Sequence, residues 1–130
     1  MKKCPVVHFE MPYKDAKRVS KFYGAVFGWG MNDTGAEMGN YVLAHTAETD
    51  ENMMVKTPGT INGGFYQWSS KIKEPSVVIA VDDLKASMAA IKKAGGKLLG
   101  KPQEIPGIGM WVSFRDSEGN RVSILQPVSG

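Results

Sequence analysis

The sequence predicts one α+β domain, residues 1–130, built from two βαβββ modules. The main observation is an internal repeat, in which a strand-like run, an aspartate and a helical stretch occur twice at a constant offset of 68 residues. Val6–Met11 precedes Asp15 in the first copy, and Ser76–Val81 precedes Asp83 in the second. A duplicated unit gives two half-sheets that must pack together, and the cleft between them is the natural place for a ligand.

Module one, residues 1–70, is predicted as a strand, a helix and three further strands. The first strand alternates apolar and polar residues, and Pro12 is expected to end it. Asp15 is a favourable N-cap for a helix that extends to Phe27, and Gly28 is expected to stop that helix. The remaining strands are placed, with a charged loop before the last, at Trp29–Asp33, Asn40–Thr46 and Ile61–Trp68.

Module two, residues 75–130, follows the polar linker Ser69–Pro75 and repeats the pattern. Its helix is expected from Asp83 to Ala94, where Gly95 and Gly96 end it. A glycine-rich loop is expected over Pro102–Gly109, and the turn at 116–120 joins the last two strands. The strands after the helix are placed at Lys97–Gly100, Met110–Arg115 and Arg121–Gln126.

Composition excludes several classes of protein. An apolar fraction of 42% with 22% charged residues is typical of a soluble globular domain. No apolar run approaches the roughly 20 residues that span a bilayer, and no secretory leader is recognisable. The net charge of +3 comes from dispersed lysines, so we expect no nucleic-acid partner. The single cysteine, Cys4, excludes an intramolecular disulfide, and we expect a cytoplasmic protein.

Three runs of sequence carry a resemblance to a known family. HFEMPYKDAKRVSKFYGAVFGW, VVIAVDDLKASMAAIKKAGGK and IPGIGMWVSFRDSEGNRVSILQP together resemble the vicinal-oxygen-chelate superfamily, which includes glyoxalases, bleomycin-resistance proteins and extradiol dioxygenases. The resemblance implies that each module forms a four-stranded curled sheet. It also implies that paired modules enclose a cup, either within one chain or across a dimer. We expect a homodimer.

The resemblance also implies where a divalent metal would be held. Enzymes of this superfamily place metal ligands on the first, fourth, fifth and eighth strands. The positions on the first, fifth and eighth strands fall here on His8, Ser76 and Ser123. The fourth strand has no carboxylate to offer, because no Asp or Glu occurs between Glu51 and Glu74. Serine hydroxyls supply neither the basicity nor the charge of imidazole and carboxylate. We therefore expect no metal and no other cofactor, with one loosely bound divalent metal at His8 and Glu10 as the alternative.

Strand alternation predicts which side chains face the cup. On the three best-aligned strands the helix-facing side is apolar, whereas the other side mixes polar, small and apolar residues. Such a lining suits a small organic molecule. Aromatic side chains add further candidates, and the turn Gly107-Ile108-Gly109 is expected to let the loop before Met110 approach the cup closely. The predicted ligand-binding residues are His8, Glu10, Tyr41, Phe65, Ser76, Met110, Arg121 and Ser123.

Three functions remain open at this point. The first is a small-molecule-binding protein without the usual metal. The second is a lyase or isomerase of glyoxalase type, related to lactoylglutathione lyase, that uses His8 and Glu10 as acid–base groups. The third is a drug-sequestering resistance protein. Structural roles compete with these, since His8 could be a satisfied buried histidine and Glu10 could form an ion pair with Arg121.

Overall fold

The structure, a computed structural model, describes residues 2–52 and 54–128. It contains two compact units. The first unit is His8–Pro75, and the second unit combines the segment up to Val7 with the chain from Ser76 onward. No helix in the described ranges is long and apolar enough to cross a membrane. The mixture of helices and strands confirms the predicted α+β class.

The first unit is a four-stranded sheet covered on one face by a helix. Strand order is β2-β3-β4-β1, in which β4 is parallel to β1 and the other neighbours are antiparallel. A 3₁₀ turn, Ala36–Met38, precedes β3. The elements are β1 (Val6–Tyr13, entering this unit at His8), α1 (Ala16–Phe27), β2 (Gly30–Asp33), β3 (Val42–His45) and β4 (Asn62–Gln67).

The ends of α1 confirm the prediction, whereas the end of β1 does not. The Asp15 side chain accepts a hydrogen bond from the Arg18 N–H at the start of α1, and Gly28 adopts a left-handed conformation at its end (φ 71°). Pro12 was expected to end β1, but this prediction was wrong. The strand continues to Tyr13, whose carbonyl accepts a 2.8 Å hydrogen bond from the Trp68 N–H. Proline lacks only a donor, so the ladder resumes at the next residue.

The second unit repeats this architecture. Strand order is β5-β8-β7-β6, with β5 parallel to β8 and the other neighbours antiparallel. The amino-terminal segment joins this unit through the Pro5 carbonyl, which accepts a hydrogen bond from the Ala80 N–H. The elements are β5 (Ser76–Ala80), α2 (Leu84–Lys93), β6 (Lys97–Ile105), β7 (Gly109–Arg115) and β8 (Arg121–Pro127).

Strand β6 is longer than predicted. The loop expected over Pro102–Gly109 begins only after Ile105, because β6 resumes pairing with β7 at Gln103 after an irregularity that follows Leu99. An edge strand tolerates Pro102, since a missing N–H there breaks no interior ladder. The chain reversal at 116–120 does follow its turn chemistry, because Asp116 Oδ1 accepts hydrogen bonds from the N–H groups of Glu118 and Asn120.

Each unit buries an apolar core between its helix and its sheet. In the first unit the buried residues are Tyr13, Val42, Ala44 and Phe65, and in the second they are Val81, Leu84, Val112 and Ile124. The predicted helix-facing residues Phe9, Met11 and Ile79 pack against these cores. Because strand side chains alternate, the neighbours of these residues lie on the opposite sheet face, where the candidate site is found.

Candidate functional site

A chain of three polar side chains occupies the sheet face of the first unit that is opposite α1. The Tyr41 hydroxyl donates a 2.9 Å hydrogen bond to Oε2 of Glu10 and lies 3.0 Å from Nε2 of His8. Glu10 is buried, whereas His8 and Tyr41 are partly buried. We call these three residues the Tyr41 cluster.

Local sequence explains how the Tyr41 cluster forms. His8 and Glu10 are two apart on β1, so they share a face, while Phe9 and Met11 point towards α1. Tyr41 immediately precedes β3, whose Val42 is in the core, so Tyr41 is on the same face as His8 and Glu10. Strand periodicity therefore places these three side chains on the same face of the sheet.

Two glycines of β4 make room for aromatic rings on opposite faces. The Tyr41 ring lies against Gly64, where a Cβ would be well inside the 3.0 Å that real Cβ atoms keep. The Phe9 ring lies against Gly63 in the same way on the core side. A glycine inside a strand often marks a close approach of this kind. Sequence reasoning missed both residues, although the adjacent pair within a strand was the available signal.

Burial sets the charge state of the Tyr41 cluster. Desolvation lowers the pKa of His8 from its ordinary 6.5 to about 4, so this imidazole is neutral at physiological pH. Desolvation, followed by the negative charge of Glu10, raises the pKa of Tyr41 well above its ordinary value. The side chains of His8 and Tyr41 are therefore uncharged hydrogen-bonding groups at physiological pH.

A second polar cluster lies within the sheet of the second unit. Arg121 donates from Nη1 to Oγ of Ser113 (3.1 Å) and from Nη2 to Oγ of Ser76 (3.0 Å). The Ser113 hydroxyl also shares a 2.8 Å hydrogen bond with that of Ser123. All four side chains are buried. We call them the Arg121 cluster.

Comparison with known proteins identifies the family. A model of the Glyoxalase/Bleomycin resistance protein/Dioxygenase superfamily matches residues 6–124. The chain belongs to this superfamily. The match covers both units and confirms the resemblance that the three sequence motifs indicate.

Individual members of the superfamily are similar over most of the chain. A glyoxylase-like domain-containing protein of Didymella fabae is 32% identical over 124 residues, which are 88% of each chain. A probable lactoylglutathione lyase of Vibrio parahaemolyticus is 26% identical over 123 residues, which are 93% of this chain and 89% of the relative.

Among solved structures, methylmalonyl-CoA epimerase of Streptomyces coelicolor, in complex with 2-nitronate-propionyl-CoA, matches with a TM-score of 0.70. It is 15% identical, and the match covers 98% of this chain and 97% of the epimerase. At this identity the likeness shows the fold alone.

The superfamily's metal-ligand positions carry a donor set that does not suit a divalent ion. Nε2 of His8 is hydrogen-bonded to Tyr41, Ser76 accepts from the Arg121 guanidinium, and Ser123 is bonded to Ser113. The Arg121 guanidinium donates directly to Ser76 and is joined to Ser123 through Ser113, and its positive charge repels a cation. Over residues 2–52 and 54–128, no three His, Cys, Asp or Glu side chains form a group that could hold a metal. The residues present therefore do not fit the superfamily's metal.

Two predicted ligand-binding residues lie in or against the cores. Phe65 is 1% exposed and packs edge-on against Phe9, because its β4 position pairs with Met11 on the helix side. Met110 packs against the core of the second unit and lines a pocket of about 620 Å³ beside Val81. Neither residue belongs to the Tyr41 cluster or to the Arg121 cluster, and a ligand-binding role for either stays a prediction.

The other predicted residues fall into the two clusters. His8, Glu10 and Tyr41 form the first, while Ser76, Arg121 and Ser123 belong to the second. The Glu10–Arg121 ion pair stays a prediction. Ser113 was missed, although a serine between Val112 and Phe114 on a strand rich in apolar residues was the available signal. Trp111 pairs with Leu125 on the face that carries Ser113, and so adds an aromatic side chain there.

Proposed function

We propose that this superfamily member binds a small organic molecule and works without a divalent metal. The observation that carries the proposal is the pair of polar clusters at the superfamily's ligand positions. Nε2 of His8 and the hydroxyls of Ser76 and Ser123 are each already hydrogen-bonded to a protein side chain. The sheet faces that hold them combine these polar groups with aromatic and small residues, as small-molecule sites do.

Native mass spectrometry of the purified protein tests both parts of this proposal. Spectra are recorded as purified, and again after dialysis against a chelator and readdition of Ni²⁺, Zn²⁺ or Fe²⁺. The expected result is a retained organic mass that chelation does not remove, with no stoichiometric metal adduct. The same spectra count the protomers and so test the predicted homodimer. Tight uptake of one metal ion per chain, confirmed by calorimetry, would contradict the proposal.

A second candidate function is a lyase or isomerase in which His8 transfers protons. The neutral state of His8 favours it, because an unprotonated imidazole can accept a proton. Lactoylglutathione and methylmalonyl-CoA are the compounds to assay first, since proteins similar to this chain carry those names. Turnover that His8→Gln abolishes and His45→Gln preserves would establish this activity. Ligand binding with no product formed would support the first function.

A further inference from the structure

The direction of the hydrogen bonds in the Tyr41 cluster fixes which nitrogen of His8 carries the proton. A tyrosine hydroxyl has a single proton to donate. That proton goes to the Glu10 carboxylate, which in its ionised form can only accept. The 3.0 Å contact between the same hydroxyl and Nε2 of His8 therefore requires the histidine to donate.

A neutral imidazole has one N–H, so a proton on Nε2 leaves Nδ1 with an unshared electron pair. His8 is only partly buried. No hydrogen bond formed by the described part of the chain reaches its Nδ1, so this atom is available as an acceptor.

The packing around Tyr41 makes this arrangement rigid. Its ring lies against Gly64, where any other residue would collide with it, and Glu10 is 8% exposed. A hydroxyl held from two sides cannot rotate to donate to His8 without giving up its bond to the carboxylate. Positioned groups of this type set the tautomer and orientation of a histidine.

We propose that Tyr41 is a positioning residue that holds His8 as the Nε2–H tautomer, and that Nδ1 receives a hydrogen bond from a ligand that carries an O–H or N–H donor. The proposal rests on the proposed function and deepens it by naming the chemical class of the ligand. Alcohols, phenols and amides are in this class. An anionic ligand without a donor would find no partner at Nδ1.

The first arm of the test measures the tautomer without any ligand. Long-range ¹H–¹⁵N spectra distinguish protonated from unprotonated ring nitrogens, and His45→Gln leaves His8 as the chain's only histidine. We expect a protonated Nε2 in this background. On Tyr41→Phe we expect the second tautomer to appear and the Nε2 proton to exchange with water at least tenfold faster. A protonated Nδ1 before that substitution, or unchanged spectra after it, would overturn the assignment.

The second arm uses phenol and anisole as probes, because they share a ring and differ in the O–H donor. Phenol is expected to shift the ¹⁵N signal of Nδ1, and anisole is expected to leave it in place. An unmoved signal with phenol, or an equal shift with anisole, would overturn the ligand class. The first arm needs no ligand, so its failure would count against the tautomer assignment alone. Absence of any small-molecule binding would instead count against the proposed function.

Discussion

The ring of Tyr41 occupies the space that a side chain at position 64 would need. A Cβ built on Gly64 would lie closer to two ring carbons and the hydroxyl oxygen of Tyr41 than the 3.0 Å that Cβ atoms keep. Gly64 pairs with Glu10 on the neighbouring strand, so the glycine lies under the tyrosine and beside its hydrogen-bond acceptor. A residue with no side chain is thus a condition for the Tyr41 cluster.

The first prediction follows from this packing. Gly64→Ala is expected to displace the Tyr41 ring, to break its bonds to His8 and Glu10, and to lower the free energy of unfolding by about 1–3 kcal/mol. Urea unfolding measures the stability, and the ¹⁵N signals of His8 report the cluster.

Two alanine variants serve as controls for Gly64→Ala. Gly63→Ala pushes against Phe9 on the core side, so it is expected to destabilise the protein while the His8 signals keep their pattern. Gly24→Ala adds a methyl at ordinary contact distance inside α1 and is expected to be stabilising by about 0.5–1 kcal/mol. Unchanged His8 signals in Gly64→Ala would show that the ring position does not matter.

The second prediction compares how much the hydroxyls of Tyr41 and of another tyrosine contribute to stability. Tyr41→Phe removes an oxygen that contacts two side chains, and a loss of about 1–3 kcal/mol in unfolding free energy is expected. Tyr66→Phe is the matched control, because its hydroxyl donates to the Glu74 carbonyl in the same unit. Its loss is expected to be about 1 kcal/mol. Equal losses in the two variants would argue that the cluster has no special role in stability.

Strand periodicity and capping residues allowed most of the fold to be predicted. Asp15 and Asp83 each cap a helix as expected, because an aspartate side chain before an amphipathic stretch readily accepts a hydrogen bond from a free N–H of the first helical turn. The end of β1 was mispredicted because Pro12 weakens a strand only by one donor. Neighbouring strands supply the rest of the ladder, and local sequence does not reveal them.

The candidate site was predictable only in part. His8, Glu10 and Ser76 could be placed on their faces because strand alternation is local. The bridge between His8 and Glu10 depends on Tyr41, which reaches them across the sheet and over Gly64. The core position of Phe65 was not predictable for a related reason, since its face depends on the register between β4 and β1, which periodicity within one strand does not fix.

The third prediction concerns pH. The pKa of His8 is lowered to about 4 in the folded protein from 6.5 in the unfolded chain, so the unfolded state binds the proton more tightly. The histidine's contribution to stability is therefore fully present above pH 6.5 and is lost as pH falls towards 4. Between pH 7 and pH 5 the expected loss is about 2 kcal/mol in unfolding free energy.

Urea unfolding at several pH values measures this slope. His8→Gln is expected to remove it, and His45→Gln, at the chain's other histidine, is expected to preserve it. A slope that persists in His8→Gln would assign the pH dependence to other groups.

The fourth prediction tests whether the Arg121 cluster is a stabilising unit. Ser113 accepts a hydrogen bond from Nη1 of Arg121 and shares another with Ser123, and the three side chains are all buried. Ser113→Ala removes both bonds where water does not replace them, so a loss of about 1–3 kcal/mol in unfolding free energy is expected. Ser70→Ala, at an exposed serine, is the control and is expected to change stability by less than about 0.5 kcal/mol. Urea titrations at pH 7 compare the two variants. If the Ser113→Ala protein is as stable as the control, the other contacts of Arg121 hold its guanidinium and the hydroxyl of Ser113 adds nothing to stability.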